Sequence, residues 1–464
     1  MRKANSMRTL AVVAFCASVV TSIAAHAANI DRVIVRQQWP WSTDVKVEYR
    51  ITGVTSPVDV SIAAYDGETP LDSAKIAAAT KGDIYGIRSD GDYSFTIDPV
   101  AAFGAARAAI PKFNVALSLS DSAPGTADVL YKIIDLDTFT ATDVTRGDFM
   151  GGKMGSYETS FSAIGDNYWT ALTDVLIWTG VTNVPAYKTS KLVMRKIPAK
   201  NVTFGMGKIP GTMGVSGTGS IGSMTVTLTN DFYISVFEIT EGQYKRMTAV
   251  NGTLGSSPTS TGDEYPVRSL KYNDLRGDPV NWTDWPDDQH CVASGTAIAK
   301  LRANMPGYLF DLPTEAQWEY ACRAGTTNDL YIGYKTVGGD TGFHTYLAPL
   351  AWYSSNSDSQ PHLGGMKRPN ALGLYDMLGN VCEHTRDLIA GSANTSDKDP
   401  PVLSGEATEP YGMAEGTDAR WSINVRGGGY SHGTGYCTVY SRRHNTYRST
   451  GNSTQGLRLW LRAE

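Results

Sequence analysis

With 464 residues, 41% hydrophobic and 19% charged side chains and a net charge of −5, the chain has the composition of a globular protein long enough for two or three domains. The acidic balance and the lack of basic blocks exclude the usual electrostatic basis for binding nucleic acid. Its 47 glycines, beside 10 tryptophans and 24 tyrosines, point away from a helical bundle and towards loop-rich β structure.

The chain opens with a targeting pattern. Arg2, Lys3 and Arg8 precede an apolar run from Leu10 to Ala25, and Ala25-His26-Ala27 is an A-x-A cleavage site. The run falls short of the roughly 20 apolar residues a membrane span needs. The expectation is therefore export, to a periplasm, cell surface or medium, with cleavage after Ala27 and no span left behind. Phe15 before Cys16 is too large for a lipoprotein site. Beyond the cleavage site stand Cys291, Cys322, Cys382 and Cys437. An oxidising compartment permits disulfides among them, and three complete pairings are open.

From Ile30 to about Thr140 the pattern is β. Val45, Val47, Tyr49 and Ile51 alternate with polar residues, as on a half-buried strand. The same period returns at Val58–Ile62, Tyr93–Ile97 and Phe113–Leu117, with Gly53, Asp66-Gly67, Asp90-Gly91 and Pro124-Gly125 as turn formers between them. A sandwich of immunoglobulin or fibronectin type is expected, without an inter-sheet disulfide. It contains no catalytic cluster, so a structural or binding module is the reading. Residues 143–191, with Gly151-Gly152, Gly155, Tyr168, Trp169 and Trp178, read as a packed connector.

From Leu192 the strands become brief. Helix starts are marked at Thr240, with Gln243 three residues on, and at Thr314, with Gln317 three residues on. Both have the form of a capping box. Trp318, Ala321 and Cys322 then follow at helical spacing. An α+β fold results, in which a few helices pack on a small twisted sheet.

Four segments in this half carry further information. Phe232-Tyr-Ile through Phe237-Glu-Ile-Thr240 forms the first. Asp311-Leu-Pro-Thr-Glu-Ala-Gln-Trp-Glu-Tyr-Ala-Cys-Arg-Ala-Gly325 is the second, and Pro369-Asn-Ala-Leu-Gly-Leu-Tyr-Asp-Met-Leu-Gly-Asn-Val-Cys-Glu383 the third. Arg426-Gly-Gly428 and Gly456-Leu-Arg458 close the series. In this order they resemble the signatures of the formylglycine-generating enzyme (sulfatase-modifying factor) family. The resemblance spans most of residues 192–464 and implies a compact, loop-rich relative of the C-type lectin fold. The expected organisation is a signal peptide at 1–27, a β-sandwich at 28–142, a connector at 143–191 and a sulfatase-modifying-factor-like domain at 192–464.

The resemblance also implies site residues. A calcium ion takes six to eight oxygens from carboxylates and carbonyls. The family's calcium site falls on the side chains of Asp376 and Glu383 and the carbonyls of Gly379 and Val381. The alternative is a turn in which the two carboxylates bond backbone N–H groups. The family's copper(I) site, used with oxygen to turn a substrate cysteine into formylglycine, needs two cysteines, six and eleven residues past the Arg of R-G-G-S. Here those positions are His432 and Cys437. Gly429 replaces the Ser, and Cys382 replaces a Trp that borders the family's active site. Imidazole and thiolate are both acceptable to copper, but a pair without a third ligand is a weak site. Related chains also place a disulfide between the W-E-Y helix and the last sheet, which would bring Cys322 towards Cys437. The family's own partner position, five past the second cysteine, is Arg442 here. Arg426 and Arg458 read as structural ion pairs. Arg442 and Arg443 stay open between structural and anion-binding roles. For Trp282, Trp285, Trp352 and Trp421 core packing is the default.

The functional expectation is a family member that lacks the two-cysteine copper oxidase site and acts as a binding module for a peptide or protein ligand, a sulfatase among the candidates. The alternative is an oxidoreductase of the formylglycine-generating type, working through Cys437 on exported sulfatases. Two further readings rank lower. One is an iron-dependent sulfoxide synthase, whose helical domain has no counterpart here. The other is a display protein with Tyr430 to Thr454 as its binding face.

Overall fold

The structure is a computed structural model that describes residues 28–37, 42–105, 110–161, 175–207, 224–259, 261–278, 290–333, 342–390, 406–408, 421–447, 449 and 451–463. The expected signal segment 1–27, Tyr168, Trp169, Trp282, Trp285 and the side chains of Trp421 and Arg443 lie outside the described residues. The chain divides into two units, one formed by residues up to 129 together with 144–155, the other by 130–143 and 156–464.

In the first unit, β1 (Asn29–Gln37), β2 (Val45–Thr52), β3 (Val58–Asp66), β4 (Thr69–Pro70), β5 (Thr80–Gly82), β6 (Gly91–Ile97) and β7 (Phe113–Asp121) form two sheets, ordered β1-β2-β6-β5 and β4-β3-β7. The expected alternation is realised along β2. Val45, Val47, Tyr49 and Ile51 are buried, while Lys46, Glu48 and Arg50 turn outward. Antiparallel pairing sets Val47 opposite Phe95 and Tyr49 opposite Tyr93. On the other sheet Val60 faces Leu119. One core joins the inner faces of both sheets through Val47, Ile51, Phe95, Val58, Val60 and Phe113, the packing that defines a sandwich. Helices α1 (Ser73–Ala78), α2 (Pro99–Phe103) and α3 (Arg146–Met150) are capped by Asp72, Asp98 and Thr145.

The second unit contains a six-stranded sheet ordered β14-β20-β13-β10-β8-β9. Its strands are β8 (Val129–Asp135), β9 (Thr140–Thr145), β10 (Lys191–Ile197), β13 (Phe232–Ser235), β14 (Phe310–Asp311) and β20 (Trp460–Arg462). The hairpin β8–β9 was expected to end the sandwich. Instead Leu192 pairs with Ile134 and Arg195 with Tyr131, and the buried side chains of Tyr131 and Ile134 hold it in this unit. A three-stranded sheet combines β11 (Val202–Met206), β12 (Met224–Leu228) and β16 (Glu406–Thr408). A four-stranded sheet, ordered β18-β17-β15-β19, consists of β15 (Cys382–Ala390), β17 (Trp421–Arg426), β18 (Arg442–Tyr447) and β19 (Gln455–Leu457).

Helices α4 (Glu241–Met247), α5 (Tyr272–Leu275), α6 (Ala297–Asn304), α7 (Glu315–Arg323) and α8 (Phe343–Leu347) complete the unit. Both expected capping boxes form. Gln243 N bonds Thr240 Oγ1 and Thr240 N bonds Gln243 Oε1; Thr314 and Gln317 repeat the exchange. A core around Trp318, Cys322, Tyr331, Leu374, Met377 and Cys437 lies beneath the long loops. Among the described residues no helix is long and apolar enough to cross a membrane.

Candidate functional site

The signature segments meet at the start of β15. The turn before it carries three residues with positive φ, Asp376 (54°), Gly379 (79°) and Asn380 (57°). At Gly379 a side chain is barred as well, because a Cβ would stand 2.3 Å from the Trp352 carbonyl oxygen. The turn is bonded to the loop after β17. Gly379 N donates to Gly427 O (2.7 Å), and Tyr430 N donates to Asn380 O (2.7 Å). Gly428 also has a positive φ, and a Cβ there would come 2.8 Å from Cys437 Sγ. These two glycines let the backbones close over the thiols.

Cys382 thereby comes close to both His432 and Cys437. Cys382 Sγ lies 3.4 Å from His432 Nδ1. His432 is 9% exposed, while Cys437 is fully buried. Burial pushes the Cys437 thiol well up, and the Cys382 thiol adds to this, with the Gly379 N–H working the other way. None of the four described cysteines is in a disulfide. Cys322 and Cys437, drawn together by the resemblance, are not bonded, and the thiol whose charge bears on Cys437 is that of Cys382. Cys382, counted from sequence as a loss, therefore puts a second sulfur beside the substituted histidine.

The expected calcium residues stand in a second cluster, with Glu238, which the sequence reading had not singled out. Glu383 is a buried acceptor. Arg458 donates to it through Nε (3.0 Å) and Nη2 (2.8 Å), and Trp318 Nε1 donates to Oε2 (2.6 Å). Glu238 accepts from Val381 N (2.9 Å) and Asn380 Nδ2 (2.6 Å). Asp376 Oδ2 accepts from Gly365 N (2.6 Å), while its Oδ1 is buried without a hydrogen-bond partner. Burial raises the Asp376 carboxyl to about 6, against the pull of the Gly365 N–H and Arg458. Glu238 is raised by burial, then by Asp376 and Glu383. Three carboxylates thus converge on Arg458, and one oxygen is left over. Glu238 stands in the E-I-T segment, and that match was the only sign of it in the sequence.

The remaining arginines tie α7 to the last sheet. Arg426 Nη2 bonds Glu319 (2.9 Å), Arg323 Nη2 bonds the same carboxylate (2.6 Å), and Arg442 pairs with Glu315. The structural role expected of Arg426 and Arg458 holds, and Arg442 joins it. Trp352 is half-buried, stacked on His362 with ring centroids 3.7 Å apart, rather than in the core. Among the described residues no group of three or more His, Cys, Asp or Glu side chains has the arrangement of a metal site.

The second unit is thus a loop-rich α+β domain whose turns are locked by buried arginine–carboxylate pairs and whose R-G-G loop leads into a histidine and a thiol that both neighbour Cys382. The chain belongs to the family described as sulfatase-modifying factor enzyme 1-like domain, whose profile matches residues 197–463. It is 27% identical over 199 residues to the chaperone protein LppX of Paenibacillus barcinonensis, covering 35% of this chain and 64% of that protein. It is 30% identical over 146 residues to the formylglycine-generating enzyme of Mycobacterium tuberculosis, covering 31% and 47%. The chain thus spans from about half to just under two thirds of these relatives' length. Among solved structures it is similar to Treponema denticola variable protein 1, at 22% identity and TM-score 0.41, over 59% of this chain and 96% of that one. It is also similar to PvdO from Pseudomonas aeruginosa, at 20% and 0.43, over 58% and 94%.

Proposed function

We propose that the chain is an exported family member that binds a peptide or protein partner and does not oxidise cysteine. The state of Cys437 carries this reading. It is fully buried, and burial pushes its thiol up, so it is not poised to attack a substrate. The imidazole at the other expected copper position engages Cys382. The residues present therefore do not fit the two-thiolate copper site, and no step is derived through copper. Kinship with a protein named as a chaperone agrees with a polypeptide partner. The N-terminal sandwich would act as spacer or second binding module. Export rests on the opening basic and apolar pattern.

One observation favours the oxidoreductase reading: Cys382 restores a second sulfur to the pocket. A single assay separates the two. The purified chain is incubated with copper, oxygen and a Cys-x-Pro-x-Arg peptide, and formylglycine is sought by mass spectrometry. The expected result is no product. Product that disappears in Cys437→Ser would establish the oxidase and overturn the binding-only reading.

Calcium at Asp376, Gly379, Val381 and Glu383 belongs to the same proposal. It is supported by the unpartnered Asp376 Oδ1 and by the surplus of negative charge around Arg458. Each carboxylate oxygen offers two acceptor sites, so Glu383 can serve Arg458 and a cation together. Calcium at a hundredfold its dissociation constant stabilises by about 2.7 kcal/mol. It is therefore expected to raise the melting temperature of the native chain by several degrees and to leave Asp376→Asn unmoved. In chelator the order reverses, and Asp376→Asn melts higher, because a buried charge between two others is gone. An identical native melt with calcium and with chelator would refute the site.

A further inference from the structure

Away from both clusters, a cleft of 430 Å³ opens between α4, α5 and the start of α6, all within the second unit. Its floor is an uncapped helix end. Thr296 stands at the N-cap, but its hydroxyl turns back to Ala293 O (2.7 Å) and caps nothing. The N–H groups of Ala297, Ile298 and Ala299 find no acceptor among the described residues. A helix start leaves such donors for a cap, for water or for a ligand. No acidic residue occupies the first turn of α6, and Lys300 stands there instead, adding positive charge where the helix dipole is already positive.

The opposite wall is polar and equally unpartnered. Tyr244 is only 6% exposed, lines the cleft, and its hydroxyl has no hydrogen-bond partner among the described residues. Asn273 Oδ1 is buried without a partner. Asp274, exposed and unpaired among the described residues, lies close enough to Tyr244 to oppose ionisation of its hydroxyl, after the larger effect of burial. The cleft therefore has a positive pole at α6 and Lys300 and a negative pole at Asp274. A simple anion such as phosphate would satisfy the first and be repelled by the second. A molecule bearing both a carboxylate and an ammonium satisfies both.

We propose that this cleft binds a free amino acid, its carboxylate on the α6 N-terminus and Lys300, its ammonium on Asp274 with the Tyr244 hydroxyl and the Asn273 amide beside it. The site is independent of the thiol pocket and of the carboxylate cluster. Hydrogen bonds to charged groups are the stronger kind, so loss of either pole weakens binding about tenfold.

Calorimetry on the full chain tests this, with each proteinogenic L-amino acid in turn and with acetate, ethylamine and inorganic phosphate as single-charge controls. The expected result is saturable binding of at least one amino acid and of none of the controls. Lys300→Ala and Asp274→Asn should each weaken it about tenfold, and Tyr244→Phe by less, with melting temperatures unchanged. Asp274 is exposed, so Asp274→Asn remains informative even if another variant folds poorly. Saturable binding of no amino acid would overturn the proposal. So would amino-acid binding indifferent to Asp274→Asn, or phosphate binding that this variant strengthens, which would make the cleft a plain anion site.

Discussion

Replacing Arg458 with methionine is expected to cost about 3–5 kcal/mol of stability, the usual penalty for removing one partner of a buried ion pair. Arg458 is fully buried and all three guanidinium nitrogens are in use. Nε and Nη2 reach Glu383, Nη1 donates to Ser235 O (2.7 Å), and Nη2 also donates to Tyr375 O (2.7 Å). Its removal strands Glu383 beside Asp376 and Glu238 without the guanidinium that offsets them. It also frees two carbonyls, one on β13 and one in the turn before β15. Lysine in its place restores a charge but not the planar fork, and should recover only a minor part of the loss. The double variant Arg458→Met with Glu383→Met should be markedly more stable than Arg458→Met alone, because it removes the stranded charge together with its partner. Urea denaturation of the single and double variants measures this. A single variant within about 1 kcal/mol of the native chain would mean that the pair contributes little and that hydrophobic burial holds the turn.

That pairing explains why some of this molecule could be read from its sequence and some could not. Signals confined to a few residues came through. The alternation of Val45, Val47, Tyr49 and Ile51 became β2, and the capping boxes at Thr240 and Thr314 opened α4 and α7. Both depend on neighbours two or three positions away. The clusters depend on residues far apart in the chain. Cys382 meets His432 across 50 positions, and Trp318 meets Glu383 across 65. No local pattern announces such a meeting. Read one at a time, Cys382 and His432 are two departures from a family signature; together they form a thiol–imidazole contact. The hairpin 130–143 was misallotted for a related reason. It reads as β from its sequence, and only its pairing with β10 shows which unit it serves. Helix α6 carries a weak amphipathic pattern, with Ala297, Ile298 and Leu301 inward, and its missing cap is visible only once the N–H groups are traced.

Acid should weaken the second unit through one histidine. His384 is completely buried on β15, set edge-on to the Tyr272 ring with centroids 6.4 Å apart, and it contacts Leu270 O through Nε2 at 3.3 Å. Its Nδ1 has no hydrogen-bond partner. Burial lowers it to about 4, only partly resisted by the Leu270 carbonyl, whereas in the unfolded chain an imidazole titrates near 6.5. The folded state therefore favours the neutral ring. The contribution to stability is complete above about pH 6.5 and is lost as the pH falls towards and through about 4, because the unfolded chain takes up the proton first. A gap of that size corresponds to about 3 kcal/mol over the window. Asp376 works in the opposite sense. Its carboxyl is raised to about 6, so its protonation on acidification favours the folded state and masks part of the loss. Burial pushes Asp311 up, but Arg276, the His290 contact, Arg386 and Arg302 outweigh it and hold the carboxyl well below the usual range, so it yields only in stronger acid. The contribution of His384 is thus isolated by the difference between the native chain and His384→Asn, measured by urea denaturation from pH 7 to pH 4. The native chain should lose its advantage over the variant across that range, by about 3 kcal/mol in all. Parallel curves would show that the ring keeps an ordinary affinity for protons in the folded protein.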